Sequence, residues 1–325
     1  MSIISAAAIA AAAARIQGPA VRTPLLDVSR QADRPLRLKC ENLQVTGSFK
    51  YRGATSMIAG FAPDGAGNGV ITYSSGNHAQ AVACAARARG IPAVVVMPRT
   101  APAVKVEGAR VHGAEVLFEG TTSTERRVRA EQEAARRGLT IVPPFDHPAI
   151  IAGQATVGRE ITEDAPAAAR VYVPVGGGGL LAGVASAVKQ ARPATRVIGV
   201  EPVGAACMAA SLDAGRPVTL ESTASVADGL LPVRPGDLTF ELVEALVDEG
   251  VTVTDDAITG ALVWLCRHAK VVVEPSGAAA CAAALAAEPD AGGGETIAVL
   301  SGGNIALPAL AELISDAGTI PNPRQ

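Results

Sequence analysis

Apolar and polar positions along this chain fall into two alternating rhythms. Short β-branched runs, "GVITY" (69–73), "AVVVM" (93–97), "AEVLF" (114–118) and "LTIV" (139–142), read as buried strands. Helical patterns separate them. One spans 76–89 and ends at Gly90, a second spans 103–111, and the charged "STERRVRAEQEAARRG" (123–138) is amphipathic with Gly138 as its C-cap. The rhythm returns with strand "RVYVPV" (170–175), a helix over 180–191, strand "RVIGVE" (196–201), strand "ETIAVL" (295–300) and a last helix. Such alternation predicts an α/β fold of parallel sheets with helices on both faces. The alanine-rich start (1–18) reads as a helix ending near Gly18. "PDGAGNG" (63–69) and "DAGGGE" (290–295) read as turns, the first marking a passage between domains.

Ligands of open parallel sheets bind beyond the carboxyl ends of strands. Three small-residue loops stand at such ends: "SSGNH" (74–78), "GGGG" (176–179) and "SGGN" (301–304). Three loops converging on one crevice say more than any single motif.

Composition narrows the function. The 325 residues suffice for two domains, and 49% are hydrophobic but only 3% aromatic, so the core is built from Ala, Val, Leu and Ile. A net charge of −3 without a basic block argues against nucleic-acid binding. The run 171–188 is weakly polar but holds Pro174 and four glycines, so it reads as strand, turn and helix rather than a membrane span. Five scattered cysteines without a C-x-x-C suggest reduced thiols in a cytoplasmic protein. Cys84 and Cys281, on alanine-rich helices, read as core. Four histidines at unrelated spacings give no zinc-hydrolase pattern.

The glycine run Gly176, Gly177, Gly178 and Gly179 follows a strand and opens a helix, which suits a phosphate cradle. With Glu201 some twenty residues on, it imitates the dinucleotide fingerprint, and a dinucleotide-dependent oxidoreductase is one reading. The spacing departs from G-x-G-x-x-G, because Leu181 and Ala182 stand where the last glycine belongs. The other reading uses Lys50 of "TGSFKYRG" (46–53). A phosphate cradle plus a lysine amine suits pyridoxal phosphate, whose aldehyde condenses with an amine. Asn77 and Ser301 then offer partners for the ring oxygen and the ring nitrogen.

"CENLQVTGSFKYRGA", "SSGNHAQA", "PPFDHPAIIAGQAT", "VPVGGGGLLAG", "VADG" and "LSGGN" together resemble the fold-type II pyridoxal-phosphate enzymes. The similar branch is that of threonine/serine dehydratases and serine racemase, and the likeness runs from "RTPLL" (22–26) to the final helix. It implies a two-domain fold like that of the tryptophan synthase β-subunit: a large cofactor domain of residues 1–53 plus 147–325, and a small domain of 54–146. It implies that Lys50 carries the cofactor, Phe49 packs near its ring and Asn77 bonds its ring oxygen. Gly176 to Gly179, with Leu180, would bind the phosphate, and Ser301 would face the ring nitrogen. Ser74, Ser75, Asn77 and His78 would receive the substrate carboxylate. A serine at 301 lets the ring nitrogen stay neutral, a weaker electron sink that favours β-elimination over transamination. The implied activity is conversion of L-threonine or L-serine to a 2-keto acid and ammonia by a homo-oligomeric enzyme.

Two positions complicate that picture. Ser75 stands where a racemase of this family uses a serine as a second acid/base, so serine racemisation or 3-hydroxyaspartate dehydration stays open. A divalent-cation site of related racemases uses a glutamate, a backbone carbonyl and an aspartate. Glu201 and Ala205 match the first two, but Cys207 replaces the third. A thiol is a poor ligand for Mg²⁺ or Ca²⁺, so a tight site is not expected and Glu201 is read as a cap of the following turn. Asp146 and His147 read as surface-loop residues, Trp264 as packing, and Glu274 as a residue near the cofactor without an assigned role.

Overall fold

The computed structural model describes residues 4–62, 65–289 and 292–316. Parts of both turns expected above, at Pro63, Asp64, Asp290 and Ala291, lie outside the described residues. The chain opens with α1 (Ala6–Ile16), capped by the Ser5 hydroxyl, then β1 (Leu25–Asp27), the single turn α2 (Ser29–Ala32) and β2 (Leu36–Cys40). The helix α3 (Lys50–Ala59) leads into alternating units: β3 (Val70–Tyr73), α4 (Asn77–Ala88), β4 (Ala93–Met97), α5 (Ala103–Val111), β5 (Glu115–Phe118), α6 (Ser123–Arg137) and β6 (Thr140–Ile141). A second series follows: α7 (Pro148–Asp164), β7 (Ala168–Pro174), α8 (Gly179–Ala191), β8 (Arg196–Pro202), α9 (Cys207–Ala214) and α10 (Asp237–Leu246). The chain closes with β9 (Glu249–Val253), α11 (Asp255–Trp264), α12 (Pro275–Ala286), β10 (Glu295–Leu300) and α13 (Leu307–Asp316).

The strands form two sheets. One is all parallel, in the order β5-β4-β3-β6. The other runs β1-β2-β10-β7-β8-β9 and is parallel except at its edge, where β1 pairs antiparallel with β2. The parallel sheets expected above are present, with β1 added antiparallel at one edge. The short link through α2 reverses the chain, whereas a parallel partner needs a long crossover. The alternation is otherwise where the apolar pattern put it, down to the left-handed Gly138 that ends α6; a Thr122–Glu125 capping box, not read from the sequence, starts that helix.

Both sheets reverse their strand order at one point. In the six-stranded sheet, β8 and β9 lie to one side of β7 and β10 to the other; in the four-stranded sheet, β4 and β6 flank β3. Connections leave in opposite directions there, so the loops diverge and open a crevice. The loop after β3 is 74–76, that after β7 is 175–178, and that after β10 is 301–306.

Small side chains pay the packing cost of bringing α7 and α8 together. A Cβ on Gly183 would lie 2.7 Å from Ala155 N, and one on Gly158 2.7 Å from the Val184 carbonyl. The aliphatic core beneath the six-stranded sheet includes Val171, Val173, Ile297 and Val299, and Trp264 is buried on its opposite face. Cys281 is buried as expected, but Cys84 is only half-buried. Among the described residues, no helix is long and apolar enough to cross a membrane.

Candidate active site

Lys50 is the first residue of α3. Its segment is tied directly to the loop after β10. Phe49 N–H donates to the Ser301 carbonyl at 3.1 Å, Ser48 and Gly302 form a β-bridge, and Gly303 N–H donates to the Gly47 carbonyl at 2.9 Å. Gly47 permits this approach: its φ is +70°, and a side chain there would run into Asn304. The Lys50 amine and the Ser301 hydroxyl thus come from residues about 250 apart in sequence but share one backbone hydrogen-bond network.

The Lys50 Nζ donates to the Pro144 carbonyl at 2.6 Å and lies 5.2 Å from the centre of the Phe49 ring. Burial pushes its pKa down from 10.5 to about 8. The same cavity, about 680 Å³, is lined by Ser74, Ser75, Asn77, His78, the four glycines 176–179 and Ser301. Phe49 and Leu180 also line it. The structure therefore brings together every cofactor and substrate position expected from the sequence.

The glycine loop is a cradle that side chains could not share. A Cβ on Gly177 would sit 2.4 Å from the Phe145 ring, one on Gly179 2.9 Å from Phe145 Cβ, and one on Gly178 2.7 Å from Met208 Cε. Gly178 also has φ +93°. No side chain caps α8, so its first N–H groups are left to face an anion. These are the features a phosphate needs, and with a buried amine and the polar side chains of Asn77 and Ser301 in the same cavity the residues present fit pyridoxal phosphate.

The His78 side chain is structural, and only its backbone N–H is left for the carboxylate loop. Its ring Nε2 contacts the Val142 carbonyl at 3.1 Å, and burial, helped by the nearby Lys50 charge, pushes its pKa down to about 3. The neutral imidazole is a structural tie at physiological pH. Asn77 is held on both sides of its amide: its Nδ2 donates to Glu274, and its Oδ1 accepts from Asn304 Nδ2 at 2.9 Å. Ser301 Oγ lies 3.3 Å from the Ser276 carbonyl.

Asp146 and His147 are more than surface-loop residues. The Asp146 carboxylate accepts from the N–H groups of Asp237 and Thr239 at the start of α10, and the His147 ring caps α7. Together they hold Pro144 and Phe145 against the amine and the cradle. Sequence reasoning did not find Phe145, Lys105, Asp228 or Asn304. "PPFDHP", "VADG" and "SGGN" flagged three of these neighbourhoods, but Lys105 lay in no motif.

The Glu201 oxygens each accept a backbone N–H, from Met208 and Ala209, both at 2.8 Å. Glu201 is a cap of α9, as read from the sequence. Ala205 is buried in the turn before it. The Cys207 thiol faces the Gly176 carbonyl, and burial pushes its pKa up to about 12. Among the described residues no group of three His, Cys, Asp or Glu could hold a metal. A Glu201→Ala variant should lose about 1–3 kcal/mol of stability, from two buried donors left without an acceptor. Thermal melts of both proteins should be unchanged by millimolar Mg²⁺; a wild-type-specific rise would restore a metal role to Glu201.

Residues 16–303 match the family described as pyridoxal-phosphate dependent enzyme. An L-threonine ammonia-lyase of Thermotoga maritima is 47% identical over 268 residues, covering 82% of this chain and 67% of that protein. A catabolic L-threonine dehydratase of Escherichia coli K12 is 41% identical over 278 residues, covering 85% and 84% of the two chains. Among solved structures, maize serine racemase superposes with a TM-score of 0.89 at 38% identity, covering 95% of this chain and 96% of that one. The chain belongs to the pyridoxal-phosphate dependent enzyme family, and its fold is that of the fold-type II members. It spans about two thirds of the length of the Thermotoga relative.

Proposed function

We propose that this protein is a pyridoxal-phosphate-dependent ammonia-lyase that converts L-threonine, and L-serine, to the 2-keto acid and ammonia. The observation that carries the reading is the Lys50 amine, with a pKa near 8, in one cavity with the glycine cradle, Asn77 and Ser301. The names of the Thermotoga and E. coli relatives support the substrate.

Bound there, the cofactor supplies an aldehyde that condenses with amines and a ring that withdraws electrons from the substrate α-carbon. The N–H groups of residues 176–180 hold the phosphate. Asn77 donates its remaining amide hydrogen to the ring oxygen. Ser301 meets the ring nitrogen without fixing a charge on it. Backbone N–H groups of the 74–78 loop receive the substrate carboxylate, and Phe49 supports the ring. Lys50 Nζ would act as the base that removes the substrate α-proton. Its lowered pKa keeps a useful fraction neutral near pH 8, where a solvent lysine would be almost wholly charged. The substrate loses water across its Cα–Cβ bond, and hydrolysis of the resulting enamine's imine form restores one water and releases ammonia.

The division of labour follows the two sheets. Residues 1–53 with 147–325 form the cofactor unit, and 54–146 carry the carboxylate loop, with α3 running through the junction. The amino-acid panel is the direct test: keto acid formation from L-threonine, L- and D-serine and the 3-hydroxyaspartates. Reaction with none of them overturns the lyase reading.

Ser75 supports a second activity. It lines the Lys50 cavity, and the likeness to maize serine racemase makes racemisation the specific alternative. Ser75→Ala should abolish D-serine formation from L-serine while keeping L-threonine elimination within about threefold, since a hydroxyl serving only the other face leaves the Lys50 proton transfer intact. Equal loss of both would make Ser75 a general component of the loop.

A further inference from the structure

A chain of polar side chains runs from the cavity wall, which Lys105, Asp228, Glu274 and Asn77 line, to Asn304. Lys105, on α5, is 2% exposed, and its Nζ lies 2.6 Å from Asp228 and 3.0 Å from Glu274. Glu274, just before α12 and 1% exposed, accepts from the Asn77 amide. Asn304 donates to Asn77 and, at 2.8 Å, to the Thr46 carbonyl. One line of contacts therefore joins α5, the α12 start, the 74–77 loop, the 301–304 loop and the segment leading to Lys50.

The hydrocarbon stem of Lys105 takes part as well. A Cβ on Gly76 would lie 2.2 Å from Lys105 Cδ, so the substrate loop rests directly on that stem. Gly302 is likewise pressed against the Glu274 carboxylate, at 2.4 Å from a would-be Cβ. An asparagine amide can flip, and which of its atoms faces a ligand is set by its neighbours. An anionic acceptor on one side of Asn77 and an amide donor on the other allow only one orientation, with Nδ2 toward Glu274 and one N–H left over.

We propose that Lys105 and Glu274 are positioning residues: Glu274 fixes the Asn77 amide for the cofactor ring oxygen, and Lys105 holds Glu274 in place while its stem sets the height of the 74–77 loop for the substrate carboxylate. Two carboxylates share the one Lys105 cation. Burial raises the Glu274 pKa, and the ammonium beside it opposes that shift. Removing the cation would leave an unpaired buried anion next to Asn77, which moves or takes up a proton and releases the amide.

The test reads cofactor binding directly, by titrating apo-protein with pyridoxal phosphate and following its absorbance band. Glu274→Met and Lys105→Met should each weaken binding about tenfold, the worth of one charge-assisted hydrogen bond, and shift the band of the holoenzyme. Glu274→Gln, which keeps an acceptor for Asn77, and Lys105→Arg, which keeps the charge, should stay within about threefold of wild type on that reasoning. The Lys105→Met/Glu274→Gln double variant should bind better than Lys105→Met alone, because the unpaired charge is gone. A second arm rests on the lyase reading: KM for L-threonine should rise about tenfold in Lys105→Met with kcat changed less than threefold. Failure of that arm alone in an enzyme inactive on every amino acid would indict the lyase reading, not the positioning role. Binding within twofold of wild type and an unshifted band in Glu274→Met overturn the proposal, and that comparison stands even if Lys105→Met does not fold.

Discussion

A Lys50→Met variant is expected to lose L-threonine turnover by roughly a thousandfold or more, the scale of a missing general base, while it still folds. The sign of the stability effect distinguishes this from a structural lesion. The folded-state pKa of Lys50 lies near 8, below the value of 10.5 for an open lysine. Unfolding therefore takes up protons between about pH 8 and 10.5, and stability rises with pH across that window. Below about pH 8 the apo-protein bears the full cost of a charged amine in a buried site. Lys50→Met removes that cost, so its apo form should melt at or above the wild-type temperature at pH 7. The pH dependence of cofactor uptake gives a second check. Uptake needs the neutral amine, so the wild-type rate should climb with pH and reach half its plateau near pH 8. A midpoint near 10.5 would mean that the amine is solvated and the pocket does not activate it. Borohydride treatment of the holoenzyme should fix the cofactor to Lys50 and to no other residue.

Arg52→Met should produce the largest loss of stability, about 3–5 kcal/mol, with Tm and denaturant midpoint as the readouts. Arg52 is two residues beyond Lys50 and wholly buried. Its guanidinium pairs with both oxygens of buried Glu41 and with Glu160, and Glu160 also pairs with buried Lys39. The Thr23 hydroxyl donates to Glu41. Two cations and two anions from β2, the turn after it, α3 and α7 thus neutralise one another in a largely buried cluster. Burial lowers the Arg52 pKa, but Glu41 and Glu160 more than reverse that and raise it. Removing the one bidentate member strands Glu41, while a methionine fills most of the space. Lys is not equivalent, because a point charge cannot bridge two carboxylates in a plane, so Arg52→Lys should recover only part of the loss. A change below about 1 kcal/mol in Arg52→Met would show that water enters and solvates Glu41.

The regular elements were legible because each carries a local signal. Periodicity placed β3, β4, α5, α6 and β10, and Gly138 marked a stop that φ/ψ alone explains. The three loops were legible for a similar reason: small residues after a strand announce a backbone that must approach something closely. Contacts made across sequence were not legible. β1 is antiparallel because a four-residue helix turns the chain, and no hydrophobic pattern distinguishes that edge. Phe145 shapes the cradle by lying against glycines more than thirty residues away, and Pro144 contributes only a carbonyl that every residue type possesses. Lys105 sits on an ordinary amphipathic helix, and nothing in "AVKVEGARV" separates a lysine that reaches two carboxylates from one that reaches water. His78 and Glu201 show the converse. His78, read as structural, turns its ring Nε2 to a backbone carbonyl, and Glu201, read as a cap, gives both oxygens to backbone N–H groups.

The position of β10 has a consequence for how this molecule is made. It lies between β2 and β7, although among the described residues it follows every other strand of its sheet in sequence. Until residues 295–300 emerge, β2 and β7 each present an open strand edge, the kind of surface that pairs with other chains. The loop that follows β10 also supplies the carbonyl that anchors Phe49 beside Lys50. A nascent chain can therefore complete the four-stranded sheet early, from local parallel units, but cannot seat its amine until nearly all of the six-stranded sheet exists. Competence to capture the cofactor reports on the finished large sheet, and loading with cofactor would act as a late proofreading step that retains only chains in which that central strand has been inserted.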